Sequence, residues 1–509
     1  MAAITGSILF YSMSCLVLLI CTMLFIAKSF SVQVLNSGTK PRTPPSPPAL
    51  PVIGHLHLVG SVIPKSFQNL ARLYGPLMQL RLGASKTLIV SNAQVAGEVY
   101  KTHELNFCYR PEFGSSDHDT YTGSYFITAP YGLYWRFMKK LCVTQLLSTS
   151  QLGRFTHVRD QEVKNLLDSL LQCSREAKAC DLSLKLTSLT NNILCRTAMS
   201  TTCDAEHIYR LVRGCLELGA KLSLGEVLGP LAKFDLFGYG RKVAKVKGEL
   251  DQILETIMEE HEKELSHKTC EEEERKDMMD ILLQVYKDPN AEVKLKRNDL
   301  KAFFLEILLA GTDTTSVALQ WAMAEIINHP GVLNRLREEM DSMVGTRRLV
   351  KESDVPNLPY LRAVVKEVLR LHPSAPFALR QSAEDCSING YDVKGQTRTL
   401  VNVYAIMRDP QVWPNPEEFL PERFLEGNAM EMKGQDLSYV PFGSGRRGCP
   451  GASFALTVMH STIAALIQCF DWKVKGGTKV DTTEGSGFSV GLAKPLVCYP
   501  ITRLDLFSV

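Results

Sequence analysis

Between Phe442 and Gly451 the chain reads FGSGRRGCPG, and this stretch restricts the rest of the chain more than any other. Four of its ten residues are glycine, which carries no Cβ and tolerates positive φ, so the backbone can approach a flat partner closely. Pro450 suits the first position of a helix, and the predicted helix runs through ASFALTVMHSTIAALIQCF. The Cys449 sulfur then lies where backbone N–H groups and the helix dipole stabilise a thiolate. That is a ligand's position. The competing reading is a Gly-rich surface turn carrying a buried, inert cysteine.

The stretch resembles the haem-binding loop of the cytochrome P450 family, whose pattern is Phe, two residues, Gly, one residue, Arg, one residue, Cys, one residue, Gly. Phe442, Gly445, Arg447, Cys449 and Gly451 fill every place of it. The resemblance makes Cys449 the axial thiolate ligand of the iron of haem b, pushing electron density towards the metal to favour O–O cleavage. It places Arg447 on a haem propionate and Phe442 beside the sulfur. Zinc is a poor rival, because no second Cys or His stands at metal-ligand spacing around Cys449.

A length of 509 residues allows more than one domain. The motifs that would meet one haem nevertheless run from Trp135 to Cys449, which predicts a single large catalytic domain. Lys plus Arg number 57 against 54 for Asp plus Glu, an even balance that gives no reason to expect nucleic acid. The 14 cysteines lack paired spacing, which argues against a secreted disulfide framework and for a reducing compartment.

Ile8 to Ala27 reads ILFYSMSCLVLLICTMLFIA, without a charge, long enough for a helix to cross a hydrocarbon core of about 30 Å. Lys28, Lys40 and Arg42 follow, and no acidic residue precedes Glu98. The positive-inside rule therefore puts the body of the protein in the cytosol, and a cleaved signal peptide, with its shorter apolar region, is the alternative. Prolines at 41, 44, 45, 47, 48 and 51 form a semi-rigid spacer. The expected organisation is a transmembrane anchor at 1–28, a proline-rich hinge at 29–55 and a catalytic domain at 56–509, with the protein single-pass in the endoplasmic reticulum membrane. Leu77 to Ser91 alternates around a Gly-Ala-Ser break and predicts a small hairpin. Most of the rest reads as helix, including Val243 to Ile257, whose apolar residues recur at core-facing spacing. The run from Glu271 to Asp277 reads as a solvated loop or helix start. The fold class expected from the resemblance is mainly α with small β-sheets.

Three further constellations carry chemistry. Trp135 and Lys139 stand four apart on one helix face and resemble the family's Trp-x-x-x-Arg, which holds a propionate; Lys139 departs from that pattern and cannot grip a carboxylate bidentately. A helix capped by Asn298 or Asp299 and stopped by Pro330 would span about 45 Å, with Ala310-Gly311-Thr312-Asp313-Thr314-Thr315 at its middle. Gly and Thr weaken a helix, and one reading is a kink with hydroxyls bonded back to carbonyls. The resemblance gives another, in which a widened turn leaves room for O2 and the catalytic pair Asp313 and Thr314 relays protons during O–O scission. Glu367 and Arg370 lie three apart and resemble the family's Glu-x-x-Arg, completed by Arg423 into a buried structural triad. Arg380 is a further candidate propionate partner, its alternative being an ordinary surface Arg.

The whole points to a haem-thiolate monooxygenase using O2, with electrons from NADPH delivered by NADPH–cytochrome P450 reductase. That partner would dock on a basic face built from Arg136, Lys139, Lys140, Arg446 and Arg447. A haem-thiolate isomerase or dehydratase, and a non-catalytic haem- or sterol-binding membrane protein, are the rivals; Asp313 and Thr314 argue against the former. The hydrophobic small-molecule substrate should meet Phe107–Ala129, Leu216–Phe237, Phe303–Leu308, Ser374–Leu379 and Gly487–Leu492. RPEFGSSD (Arg110–Asp117), YGLYWRFMKKLCVTQLL (Tyr131–Leu147) and CFDWKV (Cys469–Val474) look like plant microsomal members that oxidise flavonoids and pentacyclic triterpenoids. The apolar run before the oxygen site favours a triterpenoid, hydroxylated at a methyl group with oxidation on to the carboxylic acid open. The polar Ser115-Ser116-Asp117-His118-Asp119 keeps a flavonoid or isoflavonoid as the alternative.

Overall fold

The computed structural model describes residues 42–111, 121–201, 238–265, 276–425, 437–487 and 489–504, with 207–208, 210–215, 217–218 and 235. The expected membrane anchor lies outside these residues. The architecture is mainly helical with three small sheets. Its axis is the long helix Arg297–Asn328 of 32 residues, about 48 Å at the helical rise. It is apolar on most faces and buried along most of its length, which identifies it as a core helix rather than a membrane span. The helix Leu182–Met199 lies along it, and the helix Ala452–Cys469 packs on it as well.

The long helix starts one turn earlier than its capping residues suggest. Lys296, extended at φ −99° and ψ 158°, holds the cap position. Asp299 is already helical and reaches back, its carboxylate accepting the Lys296 N–H at 2.7 Å. At the other end His329 leaves the helix and Pro330 opens the next one, Pro330–Met343.

The hairpin expected at Leu77–Ser91 is present as β1 (Leu77–Leu82) and β2 (Ser85–Val90). After β3 (Cys180–Asp181) come β4 (Phe377–Gln381), β5 (Cys386–Ile388), β6 (Tyr391–Val393) and β7 (Arg398–Asn402), then β8 (Phe470–Val474) and β9 (Val497–Thr502). The main sheet has the order β1-β2-β7-β4, with β2 and β7 parallel. It carries Arg380, on β4, to the neighbourhood of the Cys449 loop.

The roof helix Tyr239–Leu265 buries Val243, Leu250 and Ile257, as its periodicity predicts. From the acidic run after it, Asp277 caps the helix Met278–Lys287 by accepting the Asp280 N–H; positions 271–275 lie outside the described residues. The described part of the proline-rich stretch, 42–55, is laid on the domain surface. Pro44 and Pro47 are buried, the Pro45 carbonyl accepts from Gln79, and Arg42 and Asp392 exchange hydrogen bonds.

Candidate active site

The Cys449 loop closes on itself through glycine conformations. Gly443 and Gly445 both have φ +69°, a region open to glycine at no steric cost. The Cys449 N–H then donates to the Phe442 carbonyl at 2.9 Å and the Gly448 N–H to the Gly445 carbonyl at 2.9 Å. A Cβ on Gly445 would lie 2.8 Å from a Glu104 carboxylate oxygen. That carboxylate accepts the Arg446 N–H at 2.9 Å and pairs with its guanidinium. On the other side Lys139 donates to the Gly448 carbonyl at 2.6 Å. Phe442 is half-buried against the main core. The helix begins at Ala452 with Gly451 as its cap, so Pro450 sits just before the cap rather than at the first helical position, and Phe470 begins β8. Fixed φ of proline suits either place.

Cys449 is exposed, yet burial pushes its thiol above the ordinary range, against the Gly451 N–H and the charges of Lys139 and Arg110. Both hold for a sulfur in a concave wall that solvent reaches while protein crowds it. Coordination to a metal deprotonates such a thiol outright.

Three guanidinium groups gather beside the loop. Arg447 is buried; it donates to the carbonyls of Cys108, Ile127 and Ala129 and lies over the Trp135 ring at 4.4 Å. Arg380 is buried too, donating to Leu379 and Ser444 carbonyls and lying over Tyr100. Arg110 has a buried Nε with no partner. Burial brings its pKa down to about 10, with Arg380 adding to the effect. Burial, then Arg110 and Arg380, bring Arg447 down to about 9. Cations that depress one another and leave a buried N–H unbonded match a ligand that brings carboxylates. Haem b, with two propionates and an iron for the sulfur, fits this donor set. Of the expected propionate partners, Arg380 keeps donors in reserve, Arg447 uses three of its five on the backbone, and Lys139 grips the loop itself. Trp135 stacks between Phe126 and Tyr131 under Arg447. Arg110, which the motif reading passed over, adds a third cation.

The middle of the long helix runs without a break through Ala310–Thr315. Ala310 is exposed there and Gly311, Asp313 and Thr314 are half-buried, inside a helix otherwise packed on both sides. A Cβ at Gly311 would lie 2.8 Å from Leu194 Cδ2, so a larger residue here would have to displace the end of the Leu194 side chain. The Thr314 hydroxyl donates back to the Ala310 carbonyl at 2.7 Å, and the Thr314 carbonyl accepts the Ser374 hydroxyl at 2.8 Å. Thr312 turns into the neighbouring helix, near Asn191.

Glu367, Arg370 and Arg423 come together. Arg370 makes paired bonds of 2.7 and 2.8 Å to Glu367, and Arg423 approaches the same carboxylate at 3.3 Å. Among the expected wall segments, Phe126 packs on Phe303, the Trp321 indole donates to the Val490 carbonyl, and Ser374 meets Thr314. Most of Leu216–Phe237, and positions 112–120, lie outside the described residues. Glu306 stands within the segment read as apolar. Buried, it accepts the Phe126 N–H at 2.8 Å and the Ile127 N–H at 2.9 Å; a lone acid amid FFLEILL was the signal for it.

Comparison with known proteins agrees with this geometry. Residues 44–499 match the family model described as Cytochrome P450. A 3,9-dihydroxypterocarpan 6A-monooxygenase of Glycine max is 41% identical, covering 96% of this chain and 99% of its own. A beta-amyrin 24-hydroxylase of Glycine max is 38% identical over 95% of this chain and 97% of its own. Zebrafish cytochrome P450 structures with abiraterone and with progesterone superpose with a TM-score of 0.73 at 26% identity, over 86% of this chain and 98% and 99% of theirs. With a family model and full-length relatives both matching, the chain belongs to the cytochrome P450 family, as a monooxygenase that binds haem b and takes electrons from NADPH through a reductase.

Proposed function

We propose that this monooxygenase hydroxylates a pentacyclic triterpenoid at a methyl group, with further oxidation to the acid within the reach of the same site. The observation that carries the proposal is that three polar groups of the described wall, Glu306, Tyr121 and Tyr125, are turned to the protein. Glu306 accepts two backbone N–H groups, the Tyr121 hydroxyl donates to Asp251, and Tyr125 accepts from Lys247 at 2.7 Å. Phe126 and Phe303 pack on each other within the same wall, an apolar lining suited to a hydrocarbon skeleton. The relative named for beta-amyrin supports this class. The relative named for a pterocarpan supports the flavonoid alternative, whose polar contacts would come from Ser115–Asp119, outside the described residues.

Bound at Cys449, haem b supplies the oxidation itself, one atom of O2 entering the substrate and the other leaving as water. The chain orients and insulates it. Cys449 would hold the haem iron; Arg110, Arg380, Arg447 and Lys139 would neutralise the propionates, and Trp135 and Phe442 would pack against the group. Thr314, released from the Ala310 carbonyl by rotation about χ1, holds a proton at its hydroxyl oxygen, and Asp313 replenishes it. Residues 1–28 anchor the domain in the endoplasmic reticulum membrane with its body in the cytosol. The exposed Leu50, Val52 and Ile53, close to that end, support a membrane-facing side there.

The test is expression with a plant reductase in yeast supplied with each scaffold, with products read by mass spectrometry. A hydroxylated triterpenoid is expected. Oxidised flavanone with untouched triterpenoid reverses the choice.

A further inference from the structure

The backbone from Phe126 to Ala129 passes between the distal and proximal parts of the site, and both parts hold it by its peptide groups. From the long helix, the two Glu306 oxygens accept the N–H groups of Phe126 and Ile127 at 2.8 and 2.9 Å. From the Cys449 loop, the Arg447 guanidinium donates to the carbonyls of Ile127 and Ala129. Ile127 is thus held at its N–H by an acid on one side and at its carbonyl by a base on the other. No side chain of the segment takes part in these bonds.

We propose that residues 126–129 form a strap whose seating against the long helix is set by Glu306, a positioning residue that acts on the pocket wall through the Phe126 and Ile127 peptides. Phe126 shows what the seating controls. Its ring lies 6.2 Å from Trp135 and 6.3 Å from Phe303, so a shift of the Phe126 peptide moves a ring standing between the helix Leu133–Leu141, which carries Trp135, and the helix that carries Thr314. Freeing the strap leaves two backbone N–H groups without an acceptor beside an apolar helix face.

Burial pushes the Glu306 carboxyl up to about 8, and the two strap N–H bonds, then Arg110 and Arg447, pull against it. The strap's hydrogen bonds thus favour the carboxylate, whose two oxygens can both accept.

Hydrogen–deuterium exchange of the haem-loaded protein tests this without any substrate, so its result stands apart from the choice of triterpenoid. In Glu306→Leu, both N–H groups lose their acceptor, and the Phe126–Ala129 amides are expected to exchange at least about tenfold faster. Peptides from Pro359–Leu371 and the red-shifted carbon monoxide band should not change. In Glu306→Gln, whose single amide oxygen can accept only one of the two N–H groups, the loss of protection should be smaller than in Glu306→Leu. Unaltered strap exchange in Glu306→Leu overturns the proposal, and so does an equal loss in the two variants.

Discussion

The triad around Glu367 and the roof around Lys301 are both ionic, and they are built to opposite ends. Glu367 and Arg370 are fully buried. Arg370 has five N–H groups and makes five bonds, to both Glu367 oxygens and to the carbonyls of Met407, Pro416 and Glu418. Its plane also lies over Trp413 at 5.3 Å. In the roof, Lys301 of the long helix pairs with Asp251 and Glu255 of the roof helix, and Arg297 pairs with Glu255 and Glu262. Those carboxylates stay a quarter to a third exposed, although Lys301 itself is buried. Pairs whose anion remains in water's reach contribute about 1 kcal/mol or less and weaken with salt. The difference separates the two tasks of the fold. The triad is locked by bonds that water cannot reach, and the Lys301 cluster is held by carboxylates that water can still solvate.

Removing one arm of each should expose that contrast at its largest. Arg370→Met leaves the buried Glu367 carboxylate with only Arg423 and the Leu420 N–H, and breaking such a buried pair costs about 3–5 kcal/mol. Lys301→Met, which leaves its partners in contact with water, should cost about 1 kcal/mol. Urea unfolding of the two variants, followed alongside retention of the red-shifted carbon monoxide band, measures both. Equal losses would mean that the roof is as firmly locked as the triad.

The triad could be read from sequence because each of its residues sits in a short pattern, Glu367 to Arg370 within one helical turn and Arg423 within PERF. The Cys449 loop was legible for the same reason, since its glycines and its sulfur lie within ten residues. Contacts made across the chain were not. Gly311 looks like a weak point in a helix until Leu194, from another helix, is found against it. Arg110 looks like a loop residue, and only the folded sheet and loop bring it beside Arg380 and Arg447. Glu306 was visible as an acid in an apolar run, but its acceptors' partners are peptide N–H groups, which no side-chain pattern encodes. The cap of the long helix lies two or three residues earlier than Asn298 or Asp299 because Asp299 can serve as the cap or reach back from the first turn.

Thr314→Ala tests the distal side at a residue that both readings of the helix share. The hydroxyl's bond to the Ala310 carbonyl is a local back-bond within the helix, and its removal should cost less than about 1 kcal/mol because Ala is the better helix former. Haem content and substrate binding should therefore hold, while product formed per NADPH falls several-fold and hydrogen peroxide rises in step. Unchanged coupling would assign Thr314 to the helix alone.

The smallest expected effect separates two neighbouring lysines. Of the five basic residues read as a docking face, Arg136, Lys140 and Arg446 are exposed, whereas Arg447 is buried and Lys139 turns to the Gly448 carbonyl. Arg446 is already paired with Glu104, so Arg136 and Lys140 carry more of the field that an acidic flavin domain would meet. Steering of this kind acts on association rate and is screened over about 10 Å at 0.1 M salt. Lys140→Glu should slow reductase-driven haem reduction by about threefold at low ionic strength, with the gap to the parent closing as salt is added and dithionite reduction unaffected. Lys139→Glu should behave differently, because it removes a bond to the loop that presents Cys449 and puts a second anion beside the sulfur; the loss there should appear as weaker haem retention at every salt concentration. If the two variants share one salt dependence, the inward and outward lysines do the same work, and the division between buried, locked pairing and solvent-tuned pairing does not extend to this helix.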